Sequence, residues 1–336
     1  MFATLLGRLP RPSASRDGDG RDAHGPDLAR DGDGEGRGLD LESSIEAAVR
    51  AQEDAGLEPI TDGRLRGELS VMELDPAAVV AAWRFVAALT DRGVKQALPG
   101  PYSLGQRRSS AERGAATAPS TAGATAAATL RAADDLRAVV EALAGAGCPM
   151  IEIEETTAHL IGSDAVERAL FRDAHRRLAE GVLGTHLSLS IVGGNAWEVG
   201  LEAMSAAPYA SLAVDLIHGP DNWNLVTRLA GERGVIAGAL PAKASPADAR
   251  EMLVWAARYA AGSNGRGLQR VGIGSAGSWA NLTWAAAVEK MQRLGGAPRL
   301  AATPGGAALA RQLDPRSVSA RTAATGYRAI RPESEA

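Results

Sequence analysis

Residues 150–155 read Met-Ile-Glu-Ile-Glu-Glu. The alternation puts the carboxylates of Glu152 and Glu154 on one face of a strand and leaves Glu155 at its carboxyl end. Carboxylates gathered at a strand end are candidates for managing protons, because burial beside other charges lifts a carboxyl toward the neutral range. A solvated edge strand is the competing reading. The preceding Gly145-Ala146-Gly147 favours the buried one, since such punctuation feeds a parallel strand from a helix. Elsewhere Asp215 falls near the end of another apolar run, and Arg8, Arg64, Arg66 and Lys95 lie close to three more. A guanidinium fork matches carboxylate or phosphate, so these four cations converging in one pocket would bind an anionic ligand. The plainer alternative is internal salt bridging to Glu154, Glu155 or Asp215.

Such residues act together only if the chain brings strand ends to one place. A rhythm of amphipathic helix, Gly-containing turn, short apolar strand and polar residues runs through the sequence. The predicted strands are Phe2–Leu6, Pro59–Thr61, Val94–Leu98, Met150–Glu154, His186–Ile191, Ser211–Leu216, Val235–Leu240 and Val271–Ile273. Helical patterns include Ser44–Ala55, Ala133–Ala144, Asp164–Glu180, Pro246–Ala261 and Ala280–Leu294. Eight strands alternating with helices predict an α/β fold, a single (β/α)₈ TIM barrel, with reactive loops at the carboxyl ends of the strands. That rule selects Gly7-Arg8, Asp62-Gly63-Arg64, Pro99-Gly100-Pro101, Glu154-Glu155, Ser188 to Asn195, Asp215 to Asp221, Lys243 and Ser275.

At 336 residues with 45% hydrophobic content the chain can bury one large core. The barrel is expected over 1–297. Three segments read as poorly packed: a flexible Asp/Gly/Arg-rich insertion at 13–40, an Ala/Thr/Ser-rich loop at 107–129, and a flexible tail at 298–336. The Asp-Gly repeats lack the spacing and closing Glu of a calcium loop. Net charge is −4 and Lys is scarce beside Arg, which argues against a nucleic-acid partner. The lone Cys148 excludes an internal disulfide and a multi-thiolate zinc cage. No apolar run approaches a membrane span or a signal peptide, and a cytoplasmic protein is expected. Gly193-Gly194 is too short for a phosphate loop, and no nucleophile elbow follows a strand. Asn195 and the His218-Gly219-Pro220-Asp221-Asn222-Trp223 stretch supply polar loop tips, and Trp197 and Trp223 could stack on a flat ring or simply pack.

Ala3-Thr4-Leu5-Leu6-Gly7-Arg8-Leu9-Pro10-Arg11-Pro12, Gln52 to Leu57 running into Ile60-Thr61-Asp62-Gly63, Leu98-Pro99-Gly100-Pro101 and Ile151 to Glu155 together resemble the strand-end signatures of cobalamin-independent methionine synthase. They match in order over most of 1–295, and relatives resembling uroporphyrinogen decarboxylase belong to the same superfamily. The resemblance implies the same barrel and methyl transfer from a methyltetrahydrofolate to a zinc-held thiolate. In that family zinc is held by a His-x-Cys pair, a Glu and a later Cys. These positions align with His186-Leu187-Ser188, Asp215 and Ser275, so a weakened site on His186 and Asp215, with His218 as a further candidate, is what remains. Neutral hydroxyls are poor zinc ligands. Residues that would receive an amino acid become Arg8, Arg64 and Glu154. Carried over in this way, Glu154, Glu155 and Asp215 are the expected catalytic residues, and Arg8, Arg64, Lys95, Ser188 and Asn195 the expected substrate contacts. Three functions follow as expectations: methyl transfer from a folate-type donor to a thiol acceptor, with zinc in doubt; a metal-free lyase or decarboxylase acting on an anionic substrate; or a non-catalytic barrel that binds an anionic ligand.

Overall fold

The computed structural model describes residues 1–12, 39–67, 74–115, 122–243 and 249–313. The strands are β1 (Phe2–Thr4), β2 (Lys95–Pro99), β3 (Met150–Glu155), β4 (His186–Ile191), β5 (Ser211–Asp215), β6 (Gly234–Pro241) and β7 (Val271–Ala276). The helices are α1 (Leu41–Ala55), α2 (Pro76–Ala87), α3 (Pro101–Ala115), α4 (Ala122–Gly145), α5 (Ala165–Ala179), α6 (Leu201–Ser205), α7 (Trp223–Arg228), α8 (Arg250–Gly262), α9 (Trp284–Ala302) and α10 (Pro304–Leu313). Several start where an acid or hydroxyl satisfies the free first-turn N–H groups. Asp40 caps α1, Asp75 caps α2 ahead of Pro76, Asp164 caps α5 and Thr283 caps α9.

All seven strands form one parallel curled sheet in the order β1-β7-β6-β5-β4-β3-β2. The sheet is TIM-barrel-like, with seven strands among the described residues where eight were expected. Pro59–Thr61 does not form a strand. Glu58 bridges to Ala3 of β1 and Ile60 bridges to Val94 beside β2, each as an isolated pair. Pro59 has no N–H to give a ladder, and its carbonyl instead accepts from Thr4 Oγ1 at 2.8 Å. The seam between β1 and β2 is therefore held by isolated bridges in place of a continuous ladder.

The Ala/Thr/Ser-rich stretch expected to be a loop is helical at 107–115 and 122–129. In 122–129 alanine, the strongest helix former, outnumbers the hydroxyl residues, and the Arg and Glu of 107–115 are also good helix formers. Small side chains also let α3 and α4 approach closely, since a Cβ on Gly105 would lie 2.3 Å from Thr129 Oγ1. The expected break after Leu294 is also absent, because α9 continues to Ala302 and α10 follows, replacing a flexible tail over 298–313. Gly295 serves packing here, as a Cβ would lie 1.8 Å from the Ala55 carbonyl oxygen at the end of α1. The expected insertion at 13–40 falls, apart from its last two residues, outside the described residues, as does the tail from 314. None of the described helices is long and apolar enough to cross a membrane.

The helices cover the outside of the sheet over one continuous apolar core. Inside the curl a smaller cluster of Leu6, Met150, Ala213 and Ile236 fills the lower part, with Phe2 beside it. That plug fixes the floor, and the polar residues of the same inward face lie above it.

Candidate functional site

Alternation along β3 turns Met150, Glu152 and Glu154 into the barrel and Ile151, Ile153 and Glu155 outward. Register carries the inward row sideways: Lys95, Met150 and His186 share one level, Ala97, Glu152, Ser188 and Ser211 the next, and Pro99, Glu154, Ser190 and Ala213 the one above. At the second level Lys95 Nζ reaches up to Glu152 Oε2 at 2.7 Å and to the Leu5 carbonyl at 2.6 Å, with both charged groups fully buried. Lys95 is thus an internal counter-ion below the mouth, where it cannot meet a ligand in the loops. Burial holds the Glu152 carboxyl above its ordinary value, with Lys95 opposing the rise. For an acid with a raised folded pKa, the stability it contributes is complete below its ordinary 4.5 and is lost as pH rises through the folded value. Glu152→Gln removes that titration. Its stability relative to the parent, measured by urea unfolding at several pH values, is expected to improve steadily above pH 4.5; a constant difference would contradict a titrating Glu152.

At the next level Arg64 Nη1 pairs with Glu154 Oε1, and the pair is nearly buried. Arg64 holds a left-handed backbone at φ 54°, and its N–H bonds Asp62 Oδ1 at 2.8 Å, so the turn aims the guanidinium inward. Burial raises the Asp62 carboxyl above its usual range, against the pull of Arg66 and Arg64. The outer oxygen of Glu154, Oε2, and the Ser190 hydroxyl beside it are buried without a hydrogen-bond partner among the described residues, as is Glu152 Oε1. Buried acceptors without partners are rare and cost free energy until something donates to them. Arg8 lies half-buried at the end of β1, with no ion pair among the described residues. Its carbonyl accepts from Trp279 N at 2.8 Å, and the buried Trp279 indole N–H is also unpartnered there.

The third part of the mouth is the β5 loop. Asp215 is fully buried; Oδ1 accepts from the Ile217 and His218 N–H groups at 2.9 and 2.8 Å, and Oδ2 lies 2.7 Å from His218 Nδ1. The imidazole itself is 54% exposed. Both carboxylate oxygens are spent, so Asp215 holds the ring and the ring meets the solvent. Beneath it the buried Asn222 side chain donates to the Asp215 carbonyl at 2.7 Å and to the Gly194 carbonyl at 3.0 Å, and accepts from Trp197 N at 3.1 Å, tying the β4 and β5 loops together. By strand spacing Glu154 and Asp215 are separated by on the order of 10 Å, the span of a small molecule.

Several predicted residues lie elsewhere. Glu155 points outward: it accepts from Tyr102 N at 2.9 Å and Ser103 N at 2.8 Å at the start of α3, and lies 3.0 Å from His175 Nε2. It anchors helices to the sheet and has no path to the mouth. Asn195 exchanges two 3.0 Å bonds with Asp221, clasping the β4 and β5 loops. Arg66 lies over the Phe85 ring at 5.5 Å on the outside. Trp197 stacks under Arg228 at 4.9 Å, and Trp223 packs against Trp255.

Of the expected zinc ligands only Asp215 and His218 meet. His186 begins β4 whereas Asp215 ends β5, six residue steps apart along the ladder, or about 20 Å. His186 Nε2 bonds Ser211 Oγ at 2.8 Å at the far end of the barrel, and burial lowers its pKa. Ser188 accepts from Ser211 Oγ at 2.9 Å, well below the mouth. Ser275 Oγ both accepts from Leu6 N and donates to Leu6 O at 2.7 Å, clamping β1 to β7. The described residues hold no group of three His, Cys, Asp or Glu side chains able to share a metal, so the residues present do not fit the family's zinc. Sequence reasoning gave Ser190 and Asn222 no role of their own. Strand alternation from Ser188 would have found the first, and Asp-x-x-His at a strand end, Asp215 to His218, was the readable signal for the dyad.

The sequence matches no protein-family model and no curated protein. Among solved structures the chain is similar to a B12-independent methionine synthase from Shewanella sp. W3-18-1 in complex with selenomethionine. The TM-score is 0.65 at 15% identity over 89% of this chain and 96% of that one. It is also similar to a candidate vitamin-B12-independent methionine synthase from Listeria monocytogenes, with a TM-score of 0.56 at 14% identity over 77% and 86% of the two chains. At these identities the likeness is one of fold.

Proposed function

We infer that the barrel mouth is the active site of a methyltransferase-like enzyme whose small anionic acceptor is activated by the Asp215–His218 pair. The observation that carries this reading is a fully buried carboxylate 2.7 Å from Nδ1 of a half-exposed imidazole. With Nδ1–H donating to Asp215, Nε2 presents its lone pair to the mouth as a base. An acceptor thiol placed there gives its proton to Nε2, and Asp215 stabilises the imidazolium. The thiolate sulfur then forms a bond to the methyl carbon of a folate-type donor as the donor's N–CH3 bond breaks. The electron pair stays on the donor nitrogen, which takes the proton back from His218. Arg8 and Arg64 bind the acceptor's anionic group. The overall likeness to methionine-synthase-like barrels supports transfer chemistry, and the separation of His186, Ser188, Asp215 and Ser275 argues for activation by a base.

A second reading is favoured by Arg8, a mouth guanidinium with no ion pair among the described residues: a lyase or decarboxylase in which Arg8 and Arg64 hold a substrate carboxylate. In that case His218 moves the proton, because both oxygens of Asp215 are engaged.

The test is transfer of a labelled methyl group from methyltetrahydrofolate to a panel of small carboxylated thiols, with a strong metal chelator present. S-methyl product formed under chelation is the expected result. Product seen only after zinc is added back would refute base activation. No methylation by protein that still consumes a carboxylate substrate would move the assignment to the second reading.

A further inference from the structure

We propose that the trough between α8 and α10, on the outer flank of the barrel, binds a planar aromatic anion. Trp255 and Tyr259 lie one turn apart on α8, with ring centroids 5.3 Å apart and 33° between their planes. Trp223 of α7 packs behind them at 5.1 and 5.2 Å. The facing wall is α10, which offers Ala307 and Ala310. Two methyl groups do not fill the space that two aromatic rings span, and a cavity of about 390 Å³ remains. Packed helices normally interdigitate to crystal-like density. Here both rings are left half-buried and line the trough.

The charge around the trough selects its occupant. Arg258 and Arg311 both line it, and none of its described lining residues is acidic. Arg258 donates from Nε to the Ala301 carbonyl at 2.7 Å and from Nη2 to the Thr303 carbonyl at 3.2 Å, which fixes the guanidinium without neutralising it. Arg311 is exposed on the last turn of α10. Aromatic rings beside two guanidiniums, with no acid among the described lining residues, suit a flat ring system bearing a carboxylate, sulfonate or phosphate. The volume falls within the usual range of small-ligand sites, roughly 300–1,000 Å³. The trough lies toward the end of the barrel opposite the mouth, because Thr227 and Ser263 end helices that lead back to strand starts. It is therefore independent of the chemistry assigned to the mouth.

The experiment is titration of the full chain with adenosine monophosphate and with anilinonaphthalene sulfonate, followed by tryptophan fluorescence, with inorganic phosphate as a control. Saturable one-to-one quenching by at least one aromatic probe, and none by phosphate, is expected. Arg311→Glu should weaken that binding about tenfold or more, since it turns attraction into repulsion, and should leave thermal unfolding unchanged. Tyr259→Ala should weaken it as well. Because Arg311 is exposed, its variant keeps the test valid even if Tyr259→Ala unfolds. Failure of both aromatic probes to saturate, or an unchanged Kd in Arg311→Glu, would overturn the proposal.

Discussion

Replacing His218 with alanine is expected to lower turnover by about 10²- to 10⁴-fold, the usual worth of a positioned general base, with the melting temperature essentially unchanged. The ring is half-exposed and its one hydrogen bond is to Asp215, so little packing is lost with it. Asp215→Asn is the sharper variant. Its oxygen can still accept from the two loop N–H groups, but its amide would donate to Nδ1 and force the ring proton onto Nε2. The base would then carry a proton in the wrong place, as when the carboxylate of a Ser-His-Asp triad is replaced. Comparable losses in both variants, with normal thermal unfolding, are expected from labelled-methyl transfer rates. A fully active His218→Ala would remove the dyad from the mechanism and leave Glu154 as the remaining inward acid at the mouth.

The largest expected loss of stability comes from a residue far from the mouth. Arg266 is 0% exposed. Its guanidinium donates to the carbonyls of Val226, Leu229, Ala260 and Arg233 at 2.8 to 3.3 Å. Three of those carbonyls lie at or next to the carboxyl-terminal ends of α7 and α8, where backbone acceptors have no helical partner. The negative end of each helix dipole favours a cation there. Burial lowers the Arg266 pKa, and the surrounding carbonyls stabilise its guanidinium charge. Arg266→Met keeps most of the volume and removes every donor. It is expected to cost about 4 kcal/mol, the scale of a broken buried charge network, in urea unfolding. Arg266→Lys should recover only part, since one ammonium cannot reach acceptors spread over four residues. A loss under about 1 kcal/mol for the Met variant would show that water satisfies those carbonyls instead.

Much of the fold was legible because its signals are periodic. Alternation in β3 placed Glu152 and Glu154 inward, and seven of the eight expected strands are present in parallel order. The eighth failed at Pro59, which had no N–H to offer. Helices α3 and α10 were hidden by composition, since a Ser-, Arg- and Gly-containing stretch in the first and a Pro-Gly-Gly opening in the second resemble loops until a neighbouring helix shows why the small residues are there. The site was only partly readable. Position within a strand already separated His186, which opens its strand, from Asp215, which closes one, yet motif alignment joined them. Glu155 was drawn toward the mouth by its residue type, whereas pleat direction turned it outward to the start of α3. Ser190 fell within the selected Ser188 to Asn195 stretch but was not singled out, because a buried serine declares itself only when its missing partner can be seen.

The seam of isolated bridges between β1 and β2 gives the barrel an uneven stiffness. The residues on β2 to β7 are tied by continuous ladders, whereas Arg8 and Arg64 follow the two segments that the ladder leaves loosely joined, where Leu9 N bonds the Gly63 carbonyl at 2.9 Å. An anion gripped by both guanidiniums would act as a rivet across that joint, so occupancy of the mouth and closure of the ring would be mechanically one event.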